Sequence, residues 1–200
     1  MEEFIFQKFL EVRSVTTDTR KVRANDIFFA LKGDNFNGNH FAQQALDLGA
    51  SLVIVDEEVN VSSDRIVFVE NTLLALQALA KRYRETFTFP VIGITGSNGK
   101  TTTKELMREV LSMKYKTFAT HGNLNNHIGV PLSLLSVPAD CEMAIIEMGA
   151  NHQREIASYC EYAMPDFGVI TNIGKAHMEG FGGVEGRSEE HTSELQSRVD

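Results

Sequence analysis

The 200-residue sequence is short of cysteine, with only Cys141 and Cys160. Two thiols without ligand spacing exclude a disulfide framework and a cysteine zinc site, and both are expected to be reduced and structural. A basic surplus is also missing: 19 Lys and Arg face 27 Asp and Glu, for a formal charge of −8. That balance argues against a general nucleic-acid binder, which needs clustered cations to release counterions. A local phosphate site survives the argument, because backbone amides and one lysine suffice for it. No apolar run approaches the roughly 18 residues that a membrane-spanning helix requires. The opening MEEFIFQKFLEV carries early acids and lacks the apolar core of a signal peptide. The expectation is a soluble, cytoplasmic protein without membrane insertion. No internal repeat is visible.

What is present reads as an ordinary globular chain, with 42% hydrophobic and 23% charged residues. Its length suits one large domain or two small ones. In residues 1–85, Asp26–Leu31, Ser51–Val55 and Arg65–Val69 read as strands, and Gly33–Asn39 as a turn-rich stretch. His40–Leu48 has apolar residues at helical spacing with Gly49 as its C-cap. Asn71 is placed to cap a helix running to about Arg84. Residues 86–90 read as a linker, since Pro90 disfavours helix before it.

From Val91 the rhythm changes. Strands are expected at Val91–Thr95, Lys116–Ala119, Met143–Met148 and Phe167–Ile170, alternating with helices at about Lys100–Met113, Gly129–Leu135 and Arg154–Tyr162. Such alternation implies a parallel sheet with helices on its faces. The fold class is therefore α/β, with a small mixed N-terminal domain (1–85) followed by a parallel-sheet domain from 91 to 186. Ligands of such sheets gather beyond the carboxyl ends of the strands. The glycine loop, Glu147 and the Thr171–Gly183 segment all follow strands.

The chemistry is concentrated in Thr95-Gly96-Ser97-Asn98-Gly99-Lys100-Thr101-Thr102, between a strand and a helix. Glycines let the backbone fold around an anion, successive amides point inward, and the helix start adds positive potential. Lys100 would then reach the β- and γ-phosphates of ATP, and the Thr101 hydroxyl would help hold Mg²⁺. Ile94 stands where the strict phosphate-loop pattern has its first glycine, so the loop is a variant. A structural turn capped by a threonine is the bland alternative.

This variant is similar to the phosphate loop of the Mur ligases and of their relative folylpolyglutamate synthase, which join carboxylates to amines through an acyl phosphate. Gly122–Pro131, Ala144–Asn151 and Thr171–Gly182 also resemble Mur ligase segments in order and spacing, and Asp18-Thr19-Arg20 with Asp26–Phe41 resembles the family's UDP-binding domain. The resemblance implies a UDP-substrate domain followed by an incomplete P-loop ATPase domain. It implies catalytic roles for Lys100, Glu147 and His177, metal ligation by Thr101, Glu147 and His177, and nucleotide contacts from Gly96 through Thr102. Asn123, Asn125, Asn126 and Arg20 would touch substrate. Gly122–Pro131 is similar to the branch that adds D-alanyl-D-alanine to UDP-N-acetylmuramoyl-tripeptide, with ATP and Mg²⁺, by an enzyme expected to be monomeric at full length.

Each residue also has a plain reading: Glu147 as an ion-paired carboxylate, His177 as a structural histidine, the asparagines as turn formers, and Arg20 and Lys32 as solvated charges. Two rival functions remain at this point. One is the related ligase that adds the third amino acid, and the other is a module that holds a nucleotide or UDP-sugar without catalysis. The polar stretch Arg187–Asp200 has no apolar face and resembles a translated sequencing adapter. It is expected to be foreign to the fold. Family members use a carbamylated lysine and a C-terminal domain that are not in this sequence, so the chain by itself is expected not to turn over.

Overall fold

The computed structural model describes residues 1–173, which divide into two compact units, Met1–Arg82 and the residues from Tyr83 onward. The first unit opens with a helix, α1 (Glu2–Val12), followed by a two-residue strand, β1 (Val15–Thr16). Strand β2 (Ile27–Phe29) comes next, then a small antiparallel pair, β3 (Lys32–Gly33) and β4 (Phe36–Asn37). Helix α2 (Ala42–Asp47), strands β5 (Leu52–Val55) and β6 (Ile66–Phe68), and helix α3 (Thr72–Arg84) follow.

The four longer-range strands form one parallel sheet in the order β1-β2-β5-β6. Phe28, Val53 and Val55 on one face pack with Ala42, Ala45 and Leu46 of α2. Ile27, Phe29 and Ile54 point the other way and are equally buried, so the sheet is covered on both faces as parallel sheets require. Helix α2 stops where Gly49 turns left-handed at φ 91°. The Asn71 side chain accepts from the Leu74 amide at 2.9 Å, capping α3.

The second unit contains strand β7 (Val91–Thr95), helix α4 (Lys100–Ser112), β8 (Thr117–Ala119), α5 (Gly129–Leu135), β9 (Met143–Glu147), α6 (Glu155–Ala163) and β10 (Phe167–Ile170). Its sheet is parallel throughout, ordered β10-β7-β9-β8. Ile92, Ile94, Ala119 and Ile145 pack with Met107 and Leu111 of α4. The chain steps past β9's place to lay down β8, returns for β9, and then crosses to the far side of β7. This puts the loops after β7, β9 and β10 side by side at the carboxyl edge.

The expected strands and helices of both units are present with ends shifted by a residue or two, while α1, β1 and the β3–β4 pair had no counterpart in the sequence reading. Residues 83–90, of which 86–90 read as a linker, are packed within the second unit. Tyr83 donates to the Val137 carbonyl at 2.7 Å, Arg84 grips the Ala163 and Met164 carbonyls and Asp166, and Phe87 stacks on Phe89. Among the described residues no helix is long and apolar enough to cross a membrane.

Candidate functional site

The loop between β7 and α4 is built on two glycines. Gly96 has a φ of 128° and Gly99 one of 81°, a region that side chains disfavour. At Gly96 the space is closed as well: a Cβ would overlap the Thr171 hydroxyl and come within 3.0 Å of the Asn172 backbone. Gly99 faces open space, so its requirement is conformational alone.

Residues just past β10 latch this loop from the side. The Thr171 hydroxyl donates to the Asn98 carbonyl at 2.6 Å. The Asn172 carbonyl accepts from the Ser97 amide at 3.0 Å, and its side-chain oxygen accepts from the Asn98 amide at 2.9 Å. The sequence reading turned all the loop amides inward. In the structure those of Ser97 and Asn98 are bonded to Asn172, which places an anion at the helix end of the loop. Lys100 folds back over the loop and donates to the Gly96 carbonyl at 2.7 Å. Thr101 and Thr102 sit exposed on the first turn of α4.

Opposite this turn, at the end of β9, stands Glu147. Its side chain is 1% exposed, and the geometry around it is specific. One carboxylate oxygen, Oε1, accepts from the Thr101 hydroxyl at 3.2 Å and from the Asn125 side-chain amide at 2.9 Å. The other, Oε2, has no hydrogen-bond donor and lies 3.5 Å from the Lys104 ammonium. Lys104 is itself fully buried and donates to the Thr120 carbonyl at 2.6 Å. The Thr120 hydroxyl in turn accepts from the Glu147 amide at 3.0 Å. At its outer end Lys104 also meets Glu105, whose carboxyl is held below its usual range by Arg108 first and Lys104 second. A carboxylate and a hydroxyl at this spacing offer oxygen donors of the kind that a hard cation takes.

The three asparagines predicted to touch substrate have different surroundings. Asn123, Asn125 and Asn126 all line a cavity of about 260 Å³, together with Ser97, Lys100 and Gly149. Asn125 orients Glu147, and its backbone carbonyl accepts from the Gly149 amide at 2.7 Å. The Asn126 side-chain oxygen is committed to the start of α5, accepting from the Gly129 amide at 2.8 Å. Asn123 is exposed. His177 lies outside the described residues, and among the described residues no group of three His, Cys, Asp or Glu side chains is gathered as a metal cluster.

Arg20 belongs to the first unit, in a single 3-10 turn at Thr19–Lys21. Its guanidinium is 85% exposed and engages both oxygens of Asp18, at 2.9 and 2.8 Å. The Arg20 guanidinium holds the Asp18 carboxyl down at about 2. Lys32 is paired with Asp56 at 3.2 Å and Glu57 at 3.1 Å.

Sequence reasoning singled out Lys100, Thr101, Glu147 and Asn125, which the fold brings together. It missed Lys104, Thr120 and Asn172. The one available signal for Lys104 was its position four residues after Lys100, on the same helix face.

Comparison with known proteins places this geometry in a family. The Mur ligase middle domain matches residues 94–195, and the catalytic domain of the Mur ligase family matches residues 11–109. A UDP-N-acetylmuramoyl-tripeptide--D-alanyl-D-alanine ligase from Bacillus subtilis (strain 168) is 44% identical over 180 residues, which is 89% of this chain and 39% of the relative. The crystal structure of MurF from Acinetobacter baumannii aligns with a TM-score of 0.88 at 37% identity, covering 94% of this chain and 42% of that one. MurF ligase from Thermotoga maritima in complex with ADP aligns at a TM-score of 0.84 and 36% identity, over 95% of this chain and 48% of that one. The chain thus spans about two fifths of the length of the curated relatives it matches. With the middle-domain match alone extending over half of its residues, the chain belongs to the Mur ligase family.

Proposed function

We propose that the chain carries the substrate- and nucleotide-binding parts of an ATP-dependent ligase that joins D-alanyl-D-alanine to UDP-N-acetylmuramoyl-tripeptide. The observation that carries this reading is the meeting of Lys100, Thr101 and Glu147 at the carboxyl edge of the second sheet, with Thr101 3.2 Å from Glu147. The identity of 36–44% to ligases of this name supports the choice of substrates. In this reading residues 1–85 take the UDP-substrate, residues 91–186 take ATP, and residues 86–90 join them.

The reaction moves the γ-phosphoryl of ATP onto the terminal carboxylate of the tripeptide. The amine of the dipeptide then attacks the acyl carbon, its proton leaves, and phosphate departs with the former carboxylate oxygen. Two anionic groups must be brought together first, so the protein's task is positioning and charge stabilisation. The loop from Gly96 through Thr102 takes the phosphates, donating to them from its helix end, and Lys100 swings from the Gly96 carbonyl to the β- and γ-phosphates. Thr101 and Glu147 would hold Mg²⁺, and His177, outside the described residues, would be a further ligand. The ion, when bound, screens the charge that accumulates on the transferring phosphoryl group. Asn125 keeps Glu147 facing Thr101, and Asn123 and Asn126 face the peptide end of the substrate. Arg20 is offered to the diphosphate in the first unit. The reaction draws on cytoplasmic ATP, which sets its compartment.

The test is calorimetric titration of the chain with ADP in excess Mg²⁺. Saturable binding is expected, with Lys100→Ala weakening it about 10- to 100-fold, the worth of a charge-assisted contact. A chain that ignores ADP, or whose affinity is indifferent to Lys100, overturns the nucleotide reading. Exchange of the tripeptide substrate for the dipeptide form in a ligation assay of the full-length enzyme separates this ligase from its sibling that adds the third residue.

A further inference from the structure

Lys104 is a fully buried lysine within the cluster around Glu147. An ammonium withdrawn from water is costly unless it is paired, and a helix face packed on a sheet would ordinarily carry Leu or Met there. The Lys104 ammonium donates to the Thr120 carbonyl at 2.6 Å and lies 3.2 Å from Glu105 and 3.5 Å from Glu147 Oε2 as an ion pair. Glu147 thus faces Lys104 with one oxygen, while Thr101 and Asn125 donate to the other. The carboxylate is fixed from three directions, and its charge is matched from the core side before any ligand arrives.

We propose that Lys104 is a positioning residue that orients Glu147 and offsets its charge, so that Thr101 and Glu147 accept a divalent cation only in company with nucleotide phosphates. The inference rests on the nucleotide reading above. The charge count around the loop supports it. Lys100 and Lys104 are the two basic side chains of this turn, Glu147 at the end of β9 pairs with Lys104, and the remaining acid against Lys104, Glu105, is shared with Arg108. A cation arriving alone meets one carboxylate already paired and two ammonium groups. A di- or triphosphate reverses that balance and supplies the additional oxygens that a hard ion needs.

Binding of Mn²⁺ to the 200-residue chain, followed by the electron paramagnetic resonance of the free ion with and without ADP, tests this directly. The parent chain is expected to bind Mn²⁺ weakly alone and at least about tenfold more tightly with ADP. Lys104→Gln retains a donor toward Thr120 and removes the charge; Lys104→Met removes both. Either variant is expected to tighten Mn²⁺ binding without ADP about tenfold and so to shrink the dependence on nucleotide. Glu147→Gln is expected to abolish binding at this site in both conditions. A purely structural lysine lowers the melting temperature and leaves the ratio of the two affinities unchanged, and that result overturns the proposal. Failure of both lysine variants to fold also overturns it, by assigning Lys104 to stability alone. A parent chain that never binds ADP removes the nucleotide reading instead, while Mn²⁺ titrations of parent and Lys104→Gln without nucleotide still report on the charge offset.

Discussion

Asp56 follows β5 in the first sheet, and Glu147 ends β9 in the second. Both are carboxylates at the carboxyl edge of a parallel sheet, with side chains 4% and 1% exposed, and both have a lysine nearby. Their hydrogen bonds differ. Asp56 accepts from the Asn39 side chain at 2.9 Å, from the Thr72 amide at 3.2 Å and from the Thr72 hydroxyl at 3.1 Å, and pairs with Lys32. Burial pushes its carboxyl up, but Asn39, Thr72 and Lys32 together bring it below the ordinary value. Both of its oxygens are used. Glu147 has one oxygen with no donor at all. A buried carboxylate with every oxygen hydrogen-bonded ties elements together; Glu147 is held by hydrogen bonds on one oxygen and by the Lys104 charge on the other.

The largest effect expected from breaking this contrast comes from the backbone of the loop after β7. Gly96→Ala forces a side chain into a left-handed position already filled by Thr171 and Asn172. Several kcal/mol of strain is the expected order. ADP binding should vanish in calorimetry while α/β circular dichroism of the chain persists. If Gly96→Ala binds ADP as the parent does, the loop is a turn and not a cradle.

Next in size is the exchange between the two acids. Asp56→Ala strands the buried donors of Asn39 and Thr72, which costs about 3 kcal/mol by the usual penalty for two or more unmet groups. The midpoint of urea unfolding should fall while ADP affinity holds. Glu147→Gln should do the reverse where ligands are concerned, lowering Mg²⁺-dependent ADP affinity about 10-fold or more. Equal losses of ADP affinity in both variants would erase the difference between the two acids. For pH the sign follows from the depressed Asp56 carboxyl: its contribution is complete above the ordinary carboxylate range and is lost as pH falls through its lowered value. The first unit should therefore lose stability on acidification, and Asp56→Ala should flatten that dependence.

The same contrast explains what was legible beforehand. Phosphate-loop glycines, a lysine and a threonine are contiguous, so Gly96 through Thr101 announce themselves, and the strand alternation from Val91 onward fixes the sheet type because each unit repeats one pattern. Phe4-Ile5-Phe6 in α1 is β-branched and aromatic, and its helical signal rests on Ile5, Phe6 and Phe9 alone. Two-residue strands such as β1 and β3 exist only because a partner strand holds them. Lys104 and Asn172 take their meaning from contacts 43 and more than 70 residues away, which no local window contains. The partners of Asp56 are similarly scattered, at Lys32, Asn39 and Thr72.

The smallest expected effect belongs to the pair Asp18 and Arg20, the first unit's exposed counterpart of these buried acids. Arg20 holds the Asp18 carboxyl down at about 2, yet the guanidinium stands in water and Asp18 is only part-buried, a setting in which such pairs contribute little and are screened by salt. Their mutual stabilisation is present above the ordinary carboxylate value and disappears only as pH drops toward about 2. Because an exposed pair is worth so little, Arg20→Ala should shift the unfolding midpoint hardly at all between pH 5 and 8. If Arg20 meets the diphosphate of a UDP-substrate, the same variant weakens UDP binding by about 3- to 10-fold, the share of one exposed charge-assisted contact, and the loss shrinks as salt is added. An affinity for UDP that is identical in Arg20→Ala and parent at low salt would leave the guanidinium with no work beyond its pairing with Asp18.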